Sequence, residues 1–384
     1  MAERKRYPKN NKEVIKSYGK HFIDEDDIKS VVKTLRSDFL TQGPTVRKFE
    51  EEIAKYCGVK YVVAVSSGTS ALHIAYITAG LKKGDEVITT PNTFVATTNM
   101  LIALGVKLVF CDIRLDTKNI DESKIEKLIT KKTKAIVPVH FAGHPCEMES
   151  ILKIAKKYKL KVIEDACHSL GGEYKKKKIG SLKSDMTIFS FHPVKNIAMG
   201  EGGVVCTNDK KNYERLLKLR SHGIEKDKKG YNSMVELGYN YRITDIQTAL
   251  GLSQLKKLNK FVSKRKKLAD LYKEELRDER NIILPEEFKN SKSAWHIFVI
   301  QVKNPKYRDE LIKFLNKNGV GTNIHYPNVY SHAFYKKNGY GNTKLENADL
   351  YHKTCITIPL HYQMEEVHVV FISKLIKDFF KHVK

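Results

Sequence analysis

Short apolar segments recur along the first half of the chain, and stretches with helical spacing of apolar positions separate most of them. Short apolar runs rich in β-branched residues predict strands, and apolar positions three or four residues apart predict helices. The predicted strands cover residues 61–65, 86–89, 107–111, 135–139, 161–164, 186–190 and 204–207. The predicted helices include residues 70–79, 96–104 and 148–158. Strands that alternate with helices indicate an α/β fold with a largely parallel sheet.

The pattern changes beyond residue 250. A long polar helix is predicted over residues 252–278, strands over 296–302 and 321–326, and a closing helix over 365–382. We therefore expect two domains. Residues 1–251 form a large domain with an N-terminal segment, and residues 252–384 form a connecting helix with a smaller α/β domain. A chain of 384 residues is long enough to bury both cores.

The composition is that of a globular protein, with 41% hydrophobic residues. No apolar run approaches the roughly 20 residues that cross a bilayer, so no membrane association is expected. The charged N-terminal residues 1–16 are followed by no apolar segment, so no secretory signal is expected. The six cysteines form no CxxC pair, which favours reduced thiols in a cytoplasm over a disulfide framework or a zinc knuckle, and no metal site is expected.

The formal net charge of +25 raises the alternative of a nucleic-acid-binding protein. The lysines are spread along the whole chain, however, and their one dense run, Lys175–Lys178, lies in a predicted hairpin turn. No helix-turn-helix, finger or RNA-recognition motif accompanies them. A lysine-rich solvated surface is therefore favoured, with no nucleic-acid partner. Steering of an anionic substrate such as a nucleotide sugar is a further interpretation.

One lysine has distinctive surroundings. Lys195 lies in a loop between two predicted strands, five residues after Ser190 and shortly before a Gly202-Gly203 turn. A lysine at the end of a buried strand and beside a hydroxyl is of the kind that forms a Schiff base. On this segment alone, a surface lysine in a hairpin loop is an equally good interpretation.

Two further segments carry groups that suit a phosphate and a protonated nitrogen. Ser67, Gly68 and Thr69 follow a predicted strand and begin a helix, where unpaired N–H groups and the helix dipole attract anions. Glu164 and Asp165 stand at the carboxyl end of another strand, where open α/β sheets bind ligands. Taken singly, each segment is better explained structurally, the first by an ordinary helix cap and the second by a solvated carboxylate.

Together, a phosphate cup, a strand-end aspartate and a lysine thirty residues further on are what a pyridoxal phosphate site needs. Their order and spacing resemble the DegT/StrS family of sugar aminotransferases, and the resemblance covers nearly the whole chain. It rests on the segments FLTQGPTVRKFE (39–50), PNTFVATTN (91–99), EDACHSLG (164–171), SFHPVKNIAMGEGG (190–203), LGYNYRITDIQTALG (237–251) and SAWHIFVI (293–300).

The resemblance implies an aspartate-aminotransferase type of α/β fold (PLP fold type I), in which a large domain with a mostly parallel central sheet is joined to a smaller C-terminal α/β domain. It also implies pyridoxal 5'-phosphate as cofactor, L-glutamate and a UDP-linked keto sugar as substrates, and a homodimer with shared active sites. Within the family, the segments LTQGP, CHSLGG and SFHPVK look most like UDP-4-amino-4,6-dideoxy-N-acetyl-β-L-altrosamine transaminases.

The reaction implied by this resemblance moves an amino group from L-glutamate to the keto carbon, C4, of a UDP-linked 4-keto-6-deoxy-N-acetylhexosamine for surface-glycan synthesis. One alternative is an aminotransferase that acts on another keto sugar, such as a GDP- or dTDP-linked 4-keto-6-deoxyhexose or a ketocyclitol. A remote alternative is a basic nucleic-acid-binding regulatory protein.

The resemblance also implies roles for individual residues. Lys195 matches the lysine that holds the cofactor and moves the proton. Asp165 matches the acid that pairs with the ring nitrogen. The residues implied at the cofactor phosphate are Gly68, Thr69 and Ser190.

Three further cofactor contacts are implied. Phe94 matches the aromatic residue that stacks on the ring, and His168 matches the residue at its phenolic oxygen. Asn240 matches an asparagine that reaches the phosphate of the neighbouring subunit's cofactor. Without the family, a core residue is the preferred interpretation of Phe94, and a buried polar helix residue is the preferred interpretation of His168. The implied substrate contacts are Arg242, for which a structural salt bridge is the alternative, His325 and Tyr326.

Overall fold

The computed structural model describes residues 15–382, so most of the N-terminal stretch considered for a secretory signal lies outside it. The strands are β1 Tyr61–Val65, β2 Glu86–Thr89, β3 Lys107–Phe110, β4 Thr133–Val137, β5 Lys161–Asp165, β6 Glu173–Tyr174, β7 Lys177–Lys178, β8 Met186–Ser190, β9 Gly203–Thr207, β10 Ile224–Lys226, β11 Asn232–Met234, β12 Ile282–Ile283, β13 Ser291–Lys292, β14 Phe298–Val302 and β15 Cys355–Ile358. The α-helices are α1 Glu25–Leu35, α2 Pro44–Cys57, α3 Gly68–Thr78, α4 Ala96–Ala103, α5 Glu122–Ile125, α6 Met148–Tyr158, α7 Lys210–Arg220, α8 Asp245–Glu275, α9 Tyr307–Lys317, α10 Ala333–Tyr335, α11 Glu346–Thr354 and α12 Glu366–His382. Among these described residues, none of the helices combines the length and the apolar character needed to span a membrane.

The central sheet contains seven of the described strands, in the order β1-β9-β8-β5-β4-β2-β3. Strand β9 runs antiparallel to both neighbours, and the other pairs are parallel, which confirms the predicted sheet. Side chains of β1 alternate between two apolar cores, one on each face of the sheet. Val62 and Ala64 pack in one core, whereas Val63 and Val65 pack in the other. The sheet is therefore covered on both faces, as parallel sheets are.

The strand register brings the predicted site segments to one edge of the sheet. Val65 at the end of β1 and Ser190 at the end of β8 both pair with Gly203 of β9. Asp165 at the end of β5 pairs with Ile188. A Cβ atom on Gly203 would lie 2.4 Å from the carbonyl oxygen of Ser67. The chain at Ser67 can therefore approach β9 this closely only because residue 203 is a glycine.

Two predicted connections are confirmed. The loop that carries Lys195 joins β8 directly to the antiparallel strand β9, without a crossover helix. The dense lysine run lies in a hairpin, in which β6 and β7 pair through Glu173 and Tyr174. The residues at its turn, Lys175 and Lys176, adopt positive φ angles of 48° and 65°.

Helix α8 begins at Asp245 rather than at the predicted Leu252. Thr244 and Gln247 form a capping box, in which the Thr244 side chain accepts from the Gln247 N–H and the Gln247 side chain accepts from the Thr244 N–H. The predicted domain boundary at residues 251/252 therefore lies within a continuous helix. The division into domains 1–251 and 252–384 stays a prediction.

The C-terminal block contains an antiparallel sheet in the order β12-β14-β15. Helix α9 packs on it, and α8 and α12 share the same apolar core. The strand predicted over residues 321–326 is wrong, because this segment makes only an isolated bridge between Asn323 and Thr357. The Gly321 N–H bonds the Ile15 carbonyl oxygen instead of a strand. Strand β14 pairs with β12 on one side and with β15 on the other, and β15 is an apolar run for which no strand was predicted.

Candidate active site

A cavity of about 650 Å³ opens at the edge of the sheet where β1, β5 and β8 end. Nine predicted site residues line it: Gly68, Thr69, Phe94, Asp165, His168, Ser190, Lys195, His325 and Tyr326. Asn240 and Arg242 do not line it. The fold thus brings both predicted catalytic residues and most of the predicted cofactor contacts into this one cavity, which we call the Lys195 chamber.

The Lys195 amine faces this cavity without a fixed partner. Its backbone N–H donates to the His192 carbonyl oxygen, which closes the turn after β8. Within residues 15–382 the amine makes no salt bridge or side-chain hydrogen bond. Burial lowers the pKa of Lys195 below the usual lysine value, while nearby Cys167 and Asp165 oppose that shift. A larger neutral fraction makes the amine a better nucleophile.

Asp165 is held at the cavity wall by two donors. Its Oδ2 accepts from Thr97 Oγ1 at 2.6 Å, and its Oδ1 accepts from the Cys167 N–H at 3.1 Å. The residue is only 6% exposed. A carboxylate fixed in this way keeps its orientation toward a protonated nitrogen in the cavity.

The start of α3 forms an anion cup. Ser67 caps the helix, and its Oγ accepts from the Ser70 N–H at 3.1 Å, so the ordinary cap function is also present. The backbone N–H groups of Gly68 and Thr69 lie in the first turn, where no intrahelical acceptor exists. A Cβ atom on Gly68 would lie 2.9 Å from Ser190 Cβ, so the serine side chain stands directly beside the first turn.

Gly68→Ala is expected to weaken cofactor affinity about tenfold or more, because the added Cβ atom must push Ser190 or the helix start out of place. Titration of the cofactor-free protein with pyridoxal phosphate, followed by absorbance, measures this affinity. Gly19→Ala is the matched control, since its Cβ atom would make an ordinary 3.5 Å contact with Val194. Equal affinities in both variants would show that the cup does not bind the phosphate.

Phe94 lies at the cavity wall and is 58% exposed, although it is a large apolar residue. Its ring centroid is 6.2 Å from that of Tyr326. This exposure excludes the core interpretation of Phe94. An uncovered aromatic face beside a cavity is what stacking on a planar ring requires.

Three imidazoles surround the lysine. Burial is the main cause that lowers the pKa of His168 and His296 well below the usual value and that of His325 to about 3, and the Lys195 charge adds to it in each case. They are therefore neutral at physiological pH. The rings of His168 and His296 lie 4.3 Å apart between centroids. His168 Nε2 lies 3.0 Å from the Tyr326 hydroxyl, and its buried Nδ1 has no partner among the described residues.

Three further residues line the chamber although no role was predicted for them from the sequence. His296 lies in the SAWHIFVI segment, but no role had been assigned to it. Thr97 lies in PNTFVATTN and holds Asp165. Tyr18 lines the cavity and packs edge-on against His325, with ring centroids 4.8 Å apart. The signal available for His296 was a polar residue beside an apolar strand, and Tyr18 gave none.

Asn240 and Arg242 lie away from the Lys195 chamber. Asn240 is exposed and forms a backbone bridge with Ser221. Arg242 lines a separate cleft of about 310 Å³ together with Arg47 and Glu50. Its Nη1 donates to Ser221 Oγ at 3.2 Å, and it has no salt bridge within the described part of the chain. Their predicted roles at a cofactor or substrate stay predictions.

The groups present fit pyridoxal phosphate. The cup suits a phosphate, the open face of Phe94 suits a planar ring, and Asp165 suits a ring nitrogen. The unpartnered amine of Lys195 suits an aldehyde. Each of these groups lines the same chamber.

Comparison with protein families gives a match over residues 21–376 to the DegT/DnrJ/EryC1/StrS aminotransferase family. Among curated proteins, a UDP-4-amino-4,6-dideoxy-N-acetyl-beta-L-altrosamine transaminase of Campylobacter jejuni is 40% identical over 375 residues, which cover 96% of this chain and 98% of the relative. The similarity therefore extends across both the chamber and the C-terminal block.

Solved structures agree with the curated relatives. Helicobacter pylori PseC, described as an aminotransferase involved in the biosynthesis of pseudoaminic acid, superposes with a TM-score of 0.91 at 34% identity, and the match covers 95% of this chain and 99% of PseC. The PLP-form of the putative sugar aminotransferase Spr1654 from Streptococcus pneumoniae gives a TM-score of 0.91 at 28% identity, with 96% and 99% covered. The expected aminotransferase fold and the pyridoxal phosphate cofactor are thereby confirmed.

Proposed function

Because this chain belongs to the DegT/DnrJ/EryC1/StrS aminotransferase family, we propose that it transfers the amino group of L-glutamate to the C4 keto carbon of a UDP-linked 4-keto-6-deoxy-N-acetylhexosamine. The observation that carries the proposal is the placement of Lys195 and Asp165 beside the anion cup at Gly68, all lining one chamber. The names of the Campylobacter transaminase and of PseC support the choice of substrate. Surface-glycan synthesis is the corresponding biological setting.

When bound, pyridoxal phosphate supplies an aldehyde for amine exchange and a protonated ring that withdraws electrons. The Lys195 Nζ would hold the cofactor and would move the proton at the α-carbon of the amino donor. Burial lowers the pKa of Lys195, which enlarges the neutral fraction available for that transfer. The Asp165 carboxylate, kept in place by Thr97 and the Cys167 N–H, would orient and stabilise the protonated ring nitrogen.

The size of the cavity and the charge of the protein suit a nucleotide sugar. A cavity of about 650 Å³ is larger than an amino acid needs and lies within the range of small-molecule sites. The net charge of +25 attracts an anionic substrate. His325 and Tyr326 line the same cavity and are the proposed sugar contacts.

A product assay tests the substrate. Purified protein with L-glutamate is offered UDP-, GDP- and dTDP-linked 4-keto-6-deoxy sugars and a ketocyclitol, and the aminated products are identified by mass spectrometry and NMR. The proposal predicts 4-amino product from the UDP-linked N-acetylhexosamine at the highest kcat/KM. Preferred amination of another keto substrate would overturn the substrate assignment, and amination at C3 would overturn the proposed position.

We further propose a cytoplasmic homodimer with shared active sites. Asn240 is exposed in the single chain, and large apolar side chains are exposed shortly before it: Tyr231 is 70% exposed, Met234 67% and Leu237 69%. Exposed apolar side chains grouped in this way are typical of an interface. A twofold dimer would cover them and would carry Asn240 to the partner's cofactor.

Mixing two inactive variants tests the shared site. Lys195→Ala and Asn240→Ala homodimers are each expected to have low activity. Random exchange of subunits should restore about a quarter of the wild-type activity, because each hybrid dimer contains one site with both residues intact. The mixture is unfolded, refolded together and assayed, with separately refolded variants as the control. Activity that equals the mean of the two separate variants would contradict shared sites.

A further inference from the structure

The imidazole of His140 and the carboxylate of Glu164 form a buried pair behind the Lys195 chamber. Val162 and Ile163 of β5 pack in different apolar cores, one on each face of the central sheet. By the same alternation, Glu164 points away from the chamber and Asp165 points into it. His140 Nε2 lies 2.7 Å from Glu164 Oε2, and both side chains are fully buried. A second buried carboxylate thus stands directly behind Asp165.

The contacts of His140 fix the position of its proton. Its Nδ1 accepts the Cys146 N–H at 2.9 Å, so the ring proton is on Nε2, which donates to Glu164. Thr187 Oγ1 donates to Glu164 Oε1 at 2.9 Å, and Ser184 Oγ donates to the same oxygen. The carboxylate therefore accepts three hydrogen bonds from neutral donors, and no lysine or arginine within residues 15–382 pairs with it. Burial of a carboxylate without a cation is costly, so each of these contacts matters.

The same histidine also holds the backbone of Asp165. Strand β4 ends at Val137, but the chain continues alongside β5. The Asp165 N–H donates to the Pro138 carbonyl oxygen at 2.9 Å, and the His140 N–H donates to the Asp165 carbonyl oxygen at 3.1 Å. His140 therefore contacts two consecutive residues, Glu164 through its side chain and Asp165 through its backbone. These contacts fix the end of β5 from which the Asp165 carboxylate projects.

We propose that His140, through its hydrogen bond to Glu164, is a positioning residue for Asp165. This hydrogen bond, the 140–164 link, holds the end of β5 in the conformation from which Asp165 faces the chamber and accepts from Thr97 and the Cys167 N–H. The inference rests on the proposed function, which assigns Asp165 to the cofactor's ring nitrogen. Neither His140 nor Glu164 lines the chamber, so both act through Asp165.

A pair of cofactor probes measures the orientation of Asp165 without turnover. Pyridoxal phosphate and deazapyridoxal phosphate differ only in the ring atom, nitrogen or carbon, that Asp165 would contact. Calorimetric titration of the cofactor-free protein gives the dissociation constant of each probe. The wild-type protein is expected to prefer pyridoxal phosphate by about tenfold or more, because only its ring nitrogen can donate a charge-assisted hydrogen bond. Asp165→Asn should lose most of that preference.

Two variants break the 140–164 link from opposite ends. His140→Asn keeps an acceptor for the Cys146 N–H but is too short to reach Glu164. Glu164→Asp keeps the negative charge but is too short to reach His140. Each should reduce the preference for pyridoxal phosphate by about threefold or more, because Asp165 is then less well oriented. In the Asp165→Asn background, His140→Asn should cause no further change in the preference.

Glu164→Gln and Val162→Ala are the matched controls. Glu164→Gln keeps the side-chain length and an oxygen that accepts from His140 Nε2, so the preference should stay near that of the wild type. Val162→Ala removes apolar volume on the same face of β5 without touching the link. A merely structural disturbance of this kind should weaken the two probes equally. Far-UV circular dichroism checks that each variant is folded.

Two outcomes overturn the inference. An unchanged preference in folded His140→Asn or Glu164→Asp would show that the link does not orient Asp165. Loss of the preference in Glu164→Gln would show that the charge of Glu164, and not the link, governs Asp165. By contrast, a wild-type protein that binds both probes equally would refute the assignment of Asp165 to the ring nitrogen, so failure of the proposed function is distinguishable from failure of this inference.

Discussion

Replacement of Lys195 by alanine is expected to abolish the visible absorption band of the bound cofactor and to lower kcat by at least about 10³-fold. The amine is the nucleophile of the chamber and also its proton carrier, and within the described residues no other lysine lines that cavity. Phosphate binding at the start of α3 does not use the amine. The variant should therefore still bind pyridoxal phosphate, with weaker affinity and with the spectrum of the free aldehyde.

The experiment compares absorbance spectra and single-turnover rates with L-glutamate. Lys313→Ala is the matched control, because this lysine is exposed on α9 and its loss should change neither quantity. Small primary amines added to the Lys195→Ala variant should restore part of the rate, since they supply the missing base. A variant with wild-type spectrum and turnover would refute the role of Lys195.

Asp165→Asn is expected to lower kcat by about 10²–10³-fold while the protein stays folded. The substitution removes the charge that stabilises a protonated ring nitrogen. It also turns an amide NH₂ group toward one of two donors, Thr97 Oγ1 or the Cys167 N–H, both of which now donate to the carboxylate. The ring would thus lose its electrostatic partner, and the side chain would lose one of its fixed contacts.

Single-turnover rates with L-glutamate measure this effect, and Thr97→Val serves as a graded control. That variant keeps the Asp165 charge but removes the 2.6 Å hydrogen bond that orients it, so a smaller loss of about tenfold is expected. An Asp165→Asn rate equal to that of the wild type would contradict the assignment of this carboxylate to the ring nitrogen.

Local pattern was sufficient to predict the central sheet and to place the segments of Ser67, Asp165 and Ser190 at one edge of it. The strands before Ser67, Asp165 and Ser190 are short apolar runs, and the residues that follow a parallel strand necessarily lie at one edge of the sheet. The thirty-residue spacing from Asp165 to Lys195 contains the β6–β7 hairpin and β8, so it places both groups at that edge. These predictions depended on neighbours in sequence and on one rule of sheet geometry.

Contacts between distant segments were not accessible to the same reasoning. Tyr326 and His168 form a hydrogen bond although they are 158 positions apart in the sequence. The distance between their side chains depends on how the C-terminal block packs against the large sheet. Residues 321–326 were predicted to be a strand, yet the Gly321 N–H bonds the carbonyl oxygen of Ile15 in the N-terminal segment. Tertiary contacts overrode local β-propensity at this position.

The position of Arg242 shows a different limit of prediction from the sequence. Its motif is continuous with Asn240, and the resemblance implied a substrate contact for Arg242 and a contact to the neighbouring subunit's cofactor for Asn240. In the single chain the arginine lines a separate cleft and Asn240 is exposed to solvent. Their predicted roles rest on the proposed homodimer, and the geometry between two subunits is not encoded in any one strand or helix.

The central claim is that the Lys195 amine forms the covalent link to pyridoxal phosphate, and borohydride trapping tests it most directly. The holoenzyme is reduced with sodium borohydride, digested and sequenced by mass spectrometry, which locates the phosphopyridoxyl group on the chain. We expect a single major modified peptide, with the group on Lys195. Stable modification of a different lysine, or none at any lysine, would contradict it.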